Sequence, residues 1–248
     1  MKEIARAKPV AAVPLNFQRP LCTVDVVIFT VFSEQLHVLL IQRNDEPGEP
    51  FPNKWALAGG FIDVAQDASL ETCALRKLKE KTGVSAPYLE QLGSWGGAKR
   101  DPRGWSVTHV YFALITLDLG VSPVCGANAK DAKWMPLADI DVHESLAFDH
   151  KEILAAAISR LRNKVEYTSL PAFLLPMEFT LSELQRIYEI VLDRKLEKSA
   201  FRTRVLSNSL VVPLSRYKEG PNRPARLYKL KSKTKPIYFQ RTFKPAEG

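Results

Sequence analysis

Residues 55–84 read WALAGGFIDVAQDASLETCALRKLKEKTGV, and the fold turns on how this stretch is parsed. It divides into a Gly-Gly turn, a loop, a helix and a stop. Gly59 and Gly60 supply backbone freedom where a side chain would be in the way. Ser69 is placed to cap a helix, with Thr72 three positions on. Leu75, Leu78 and Thr82 then recur at helical spacing, and Gly83 can end the helix in a left-handed conformation.

In this frame the stretch resembles the Nudix box, G-x5-E-x7-R-E-U-x-E-E-x-G-U, where U is aliphatic. Arg76, Leu78, Glu80, Gly83 and Val84 stand where the pattern has Arg, U, Glu, Gly and U. The resemblance implies a helix whose glutamates hold divalent metals against a diphosphate. The departures from the pattern decide the chemistry. Lys77 follows Arg76 and Lys81 follows Glu80, where the pattern has carboxylates. The spacing from Gly60 to Arg76 is two residues longer than the pattern, and the neutral Gln66 stands at the loop glutamate's distance from Gly60. A hard cation such as Mg2+ needs carboxylate oxygens to offset its dehydration. One Glu beside two Lys makes a poor metal site. The expectation is a Nudix fold that keeps its ligand pocket but has no catalytic residue, bound metal or cofactor.

The 248 residues, 46% hydrophobic, suit one large or two modest domains. Cys22, Cys73 and Cys125 have no paired or metal-ligand spacing and read as reduced thiols. The N-terminal MKEIARAKPVAAVP has only a short apolar run, broken by Pro9 and Pro14, which argues against a secretory signal. No apolar run approaches the roughly 18 residues of a membrane span, so a soluble, cytoplasmic protein is expected. Residues 1–164 carry 19 Lys and Arg against 19 Asp and Glu, whereas residues 165–248 carry 16 against 8. The entire net charge of +8 lies in the last third, which points to a nucleic acid or another polyanion as its partner.

Taken in order, residues 1–20 are irregular and could form an arm. Residues 22–32 and 36–42 are β-rich runs around Ser33-Glu34-Gln35, a hairpin signal. Arg43 follows at a strand end, and the proline-rich 44–54 is a loop. Residues 88–95 and 105–117 read as strands, the second apolar enough to be central in a sheet. Between them lies Arg100-Asp101-Pro102-Arg103-Gly104, a rigid turn with two guanidiniums able to fork to phosphate oxygens. A short strand at 132–137 precedes a helix capped by Asp149. Alternating strands and helices fit an α/β/α sandwich around one sheet, ending near Lys164.

Beyond a connector at 166–178, Thr180 and Glu183 form a capping box for a helix with Leu184, Ile187, Ile190 and Val191 on one face. A second, basic helix spans 197–208, with Phe201, Val205 and Leu206 apolar. Strands at 210–217 and 225–231 flank KEGPNRP, and 236–243 could return as a strand. Helix, turn, basic helix and hairpin is the order of a winged helix-turn-helix, whose second helix enters the DNA major groove.

The RDPRG turn is similar to one in ADP-ribose-type Nudix proteins and their regulator relatives, and FDH at 148–150 resembles a segment of those regulators. Along nearly its full length the chain resembles the Nudix-related transcriptional regulators, the NrtR family. That resemblance implies an α/β protein, with a Nudix-like sensing domain at 1–164 and a winged helix at 165–248. It implies a homodimeric repressor of NAD-metabolism genes on double-stranded operator DNA, released by ADP-ribose or a related nucleotide sugar. The candidate ligand-binding residues are Arg43, Trp55, Gly59, Gly60, Phe61, Arg76, Glu80, Arg100, Asp101, Arg103 and His150. The candidate DNA-binding residues are Lys198, Ser199, Arg202, Arg204, Arg223 and Arg226. Two other readings compete. One is an active Nudix hydrolase with a basic accessory domain, against which Lys77 and Lys81 argue. The other is an RNA-binding module, against which the lack of a stacked aromatic platform argues.

Overall fold

The protein's computed structural model describes residues 18–83, 88–116, 123–125, 129–140, 146–220, 223–232 and 234–239. The expected N-terminal arm up to residue 17, Val84 and residues 240–243 lie outside these. Strands β1 (Leu21–Phe32) and β2 (Gln35–Gln42) form the expected hairpin. Its two-residue turn, Ser33-Glu34, has φ of 47° and 62°, the twist that antiparallel strands favour. β3 (Trp55–Phe61), β4 (Tyr88–Gly97), β5 (Ser106–Leu114) and β6 (Asp131–Pro136) complete a six-stranded sheet of order β4-β5-β1-β3-β2-β6. The glycine pair is therefore not a turn: Gly59 and Gly60 lie within β3, opposite Asp25 and Val24 of β1. β5 lies one strand in from the edge, parallel to β1, rather than at the centre. Its apolar run reflects burial on both faces, which does not require a central position.

Alternation along β1 sends Val24, Val26 and Ile28 to one face and Val27 and Phe29 to the other. Helix α1 (Leu70–Thr82) covers the first face and α2 (His150–Val165) the second. The capping box of α1, Ser69 with Thr72, is present, and Gly83 ends the helix at φ 70°. Its buried face is Cys73, Ala74 and Leu78 with Thr82, while Leu75 is exposed. Asp149 precedes α2 but makes no side-chain cap, because its carboxylate is engaged elsewhere.

The C-terminal part has β7 (Phe179–Thr180), α3 (Leu181–Leu192), α4 (Lys198–Ser207), β8 (Val211–Lys218) and β9 (Ala225–Leu230). Its small sheet has the order β7-β9-β8. Thr180 and Glu183 form the capping box of α3, and Tyr188 joins Leu184, Ile187 and Val191 in its buried face. Phe201 and Val205 anchor α4, while Leu206 is exposed. The described residues of 236–243 form no strand; Tyr238 makes an isolated bridge to Thr168.

The connector at 166–178 is not a solvated linker. Residues Leu170–Leu174 form a buried 3-10 turn, with the Phe173 ring 5.4 Å from that of Tyr88. One apolar core runs from Val27 and Phe112 through Phe173 to Val191 and Phe201, joining the two halves. Leu-Pro-Ala-Phe-Leu-Leu is too apolar to remain in water. Among the described residues, no helix is long and apolar enough to cross a membrane.

Candidate functional site

In the Nudix sandwich, β1 places Asp25 opposite Gly59. The Asp25 carboxylate is buried, accepts a hydrogen bond from the Thr108 hydroxyl at 2.7 Å, and lies 3.6 Å from His150 Nε2. The Leu57 amide donates to His150 Nδ1 at 2.9 Å, so Nδ1 is the acceptor and Nε2 carries a hydrogen, facing Asp25. Burial would raise the Asp25 pKa, but His150, Thr108 and Arg100 bring it below the ordinary value. Asp25 was not among the candidates. Its signal is a lone carboxylate inside the apolar run CTVDVVIF.

Of the four candidate arginines at the ligand site, Arg43, Arg100 and Arg103 have different tasks. Arg100 is 7% exposed and forks to both oxygens of Asp149 at 2.9 and 2.8 Å, with a further bond to Ser106 Oγ. It fastens the RDPRG turn to the start of α2 through the Asp149 carboxylate. Arg103 is the outer arginine. Its Nε and Nη2 donate to the buried Asp101 at 3.0 and 2.8 Å, and its guanidinium lies 5.2 Å from the Phe61 ring centre. Burial would raise the Asp101 pKa, but the Arg103 bonds bring it below the ordinary value. Arg43 donates to Pro50 O and Glu49 and lies 4.9 Å from the Phe148 ring. Of the two candidate stacking rings, Phe61 is exposed, whereas Trp55 packs against the core on the α2 face.

On α1, Arg76 donates to Asp67 through Nε at 2.7 Å and Nη2 at 2.5 Å, and to Glu80 through Nη1 at 2.8 Å. Arg76 and Glu80 thus share one ion-pair network with Asp67. The loop carboxylate facing Arg76 is Asp67, the neighbour of Gln66. This fork pulls the Asp67 pKa well below the ordinary carboxylate range. Such a group stabilises the fold fully above its unfolded pKa, and the contribution is lost as pH falls through the folded value. Asp67→Asn should therefore lower the Tm by a few degrees at neutral pH, and a thermal-melt series should show the gap to wild type closing in acid. A gap that widens in acid would be inconsistent with this pairing.

Cations stand around the same helix. Lys77 Nζ lies 3.8 Å from Glu80 Oε2 and 3.1 Å from the point where a Gly60 β-carbon would stand. Lys81 is 8% exposed, and burial lowers its pKa, partly offset by Glu80.

In the C-terminal part, Lys198, Arg202 and Leu206 follow at i, i+4 and i+8 on one face of α4. With Arg223 and Arg226 from the hairpin they line one cleft of about 750 Å3. Lys198, Arg202, Arg223 and Arg226 are exposed. The Arg226 side chain is steadied by Leu214 O at 2.9 Å. Ser199 lies in the first turn of α4, where the backbone amides of Ser199 and Ala200 are bonded to the Glu197 carboxylate. Arg204 does not join the cleft. It donates to Glu166 O at 2.5 Å and lies 4.5 Å from the Phe239 ring. The reason is geometric: Arg204 is three residues after Phe201 and adjacent to Val205, on the buried flank of the helix.

The fold and the two sites define a class: a Nudix sandwich with arginines paired to carboxylates near Asp25, joined to a winged helix with a cationic cleft. The Nudix domain model matches residues 23–157, and the NrtR DNA-binding winged helix domain model matches residues 171–230. The chain belongs to the NrtR family of Nudix-related transcriptional regulators. It is 48% identical over 214 residues to the ADPR responsive transcriptional repressor NtrR of Acinetobacter baylyi, covering 86% of this chain and 83% of that one. The structure of Shewanella oneidensis NrtR complexed with a 27mer DNA superposes with a TM-score of 0.75 at 43% identity, over 85% of this chain and 93% of that one. The Nudix domain of the same Shewanella protein, complexed with ADP ribose, superposes with a TM-score of 0.54 at 46% identity, over 60% of this chain and 94% of that one.

Proposed function

We propose that this chain is a transcriptional repressor that binds double-stranded operator DNA as a homodimer and releases it when ADP-ribose or a close derivative binds the Nudix domain. One observation carries the reading: the cleft between α4 and the hairpin gathers Lys198, Arg202, Arg223 and Arg226, while Arg43 and Arg103 lie near Asp101 and Asp25 in the Nudix half. Relatives named for both activities support it. Genes of NAD metabolism are the expected targets, and the cytoplasm the expected compartment.

The Nudix fold implies a divalent metal, but the residues present do not fit one. The Lys77 ammonium lies against Gly60 and near Glu80, Arg76 occupies the other Glu80 oxygen, and Lys81 adds a third cation. A dication would replace no charge here and would meet repulsion. We infer a ligand sensor without hydrolase chemistry. ADP-ribose incubated with the protein and Mg2+ should stay intact, while the same ligand should dissolve its mobility-shift complex with promoter DNA. Turnover on the order of 1 per second, typical of enzymes, would favour the hydrolase reading instead.

Arg103 is the guanidinium best placed for the diphosphate, with Phe61 beneath it for a ring. Arg103→Ala should weaken ADP-ribose binding by about 1.5–3 kcal/mol, the loss of one charge-assisted hydrogen bond. Calorimetry with an unchanged affinity would take Arg103 out of the pocket.

A further inference from the structure

Arg204 turns away from the cleft that holds Arg202 and reaches the last turn of α2. Helix ends leave carbonyls without intrahelical partners, and the negative end of the helix dipole favours a cation there. Arg204 Nη2, from the winged helix, donates to Glu166 O at the end of α2. In the opposite direction, Arg162 Nε, from α2, donates at 3.1 Å to Val191 O in the last turn of α3. Each half of the molecule thus sends an arginine to a helix end of the other.

The C-terminal segment secures one of these caps. Phe239 N donates to Tyr167 O, Ser169 N to Ile237 O, and Ile237 N to Ser169 Oγ, each at 2.9 Å. This strap clamps the residues that follow α2 and holds the Phe239 ring against the Arg204 guanidinium. Beneath lies a cavity of about 420 Å3, lined among others by Tyr188, Phe201 and Phe239, so α4 is not close-packed along the end of α2. The arginine and the strap fix the angle there. The other end of α2 holds His150 and Asp149, tied to Asp25 and Arg100 at the candidate ligand pocket. A helix of 16 residues, about 24 Å long, joins the two places.

We propose that Arg204 is a positioning residue: braced by Phe239, it sets the recognition helix α4 against the end of α2 and passes ligand-site occupancy to it. This rests on the reading of the chain as an effector-released repressor. A ligand shifts DNA binding only if it binds the DNA-competent and DNA-incompetent arrangements differently. Movement of Asp149 and His150 carries α2 with it, and Arg204 is where that helix end holds α4.

The test uses the full chain with Arg204→Ala, Arg204→Lys and Phe239→Ala. ADP-ribose affinity is measured by calorimetry on free protein and on the operator complex, and the salt dependence of DNA binding is measured in parallel. In wild type the ligand should bind the free protein about tenfold or more tightly than the complex, within the usual range of allosteric coupling. Arg204→Ala and Phe239→Ala should bring that ratio to within about twofold, at unchanged affinity of the free protein, and Arg204→Lys should retain most of it. The salt slope of Arg204→Ala should match wild type, because no phosphate contact is lost. A slope lower by about one per protomer would instead make Arg204 a phosphate ligand and overturn the inference. A wild-type ratio preserved in both alanine variants would overturn it while leaving the repressor reading intact. A wild-type ratio of one would remove that reading and the inference together. Should Arg204→Ala not fold, Phe239→Ala decides by the same criteria.

Discussion

Gly59→Ala should destabilise the protein by about 3 kcal/mol, the upper end of what overpacking a well-filled core costs. A β-carbon at this position would stand 1.9 Å from Asp25 Oδ1 and 2.7 Å from Val24 O. The second contact is backbone, so no rotamer change relieves it. For a chain of this size the loss corresponds to a Tm lower by roughly 6–12 °C. Gly97→Ala is the control, because a β-carbon there meets nothing within 4 Å. Equal melting temperatures for the two variants would show that β1 and β3 separate freely at Asp25. The effect should extend beyond stability. Asp25 faces His150, the first residue of α2, so displacing it should also weaken ADP-ribose binding to the fraction that folds.

The second large effect concerns DNA. Arg202→Ala combined with Arg223→Ala should weaken operator binding by about 3 kcal/mol, roughly a hundredfold, if each guanidinium contributes one charge-assisted contact. The two arginines reach the same cleft from different elements, α4 and the hairpin. Their loss should lower the salt dependence by about one to two released counterions per protomer. If Arg202 contacts a base, its single variant should also relax discrimination between operators, whereas Arg223→Ala should weaken all sequences alike. Mobility-shift titrations across a salt series read both quantities. An unchanged affinity and slope in the double variant would move the DNA interface off this cleft. ADP-ribose binding should be unaffected, since neither residue lies near Asp25 or the RDPRG turn.

What the sequence by itself determined about this protein is local. The caps Ser69 with Thr72 and Thr180 with Glu183 lie within one helical turn, the hairpin turn is two residues long, and Gly83 ends its helix at the position expected. Periodicity and capping act over a few residues, so the element order of both domains was legible, and with it the fold class. The charge asymmetry similarly required only counting.

Tertiary structure decided which of the candidate side chains are open. Arg100 meets Asp149 across 49 positions, His150 meets the Leu57 amide across 93, and Asp25 becomes part of the site only because β1 pairs with β3 beside α2. Sequence spacing carries no information about such pairings, since they depend on which strands become neighbours. Arg76, Arg100 and Arg103 carry the same guanidinium, and each forks to a different carboxylate, that of Asp67, Asp149 and Asp101. On α4, Arg202 and Arg204 are two residues apart, and with few apolar anchors the helix pattern alone left both as candidates. Packing of Phe201 and Val205 turned one to the cleft and the other to the end of α2. The connector shows the same logic. In sequence it is only a connector, but Leu170, Phe173 and Leu174 gain more from burial than from hydration, and it became part of the core that joins the two domains.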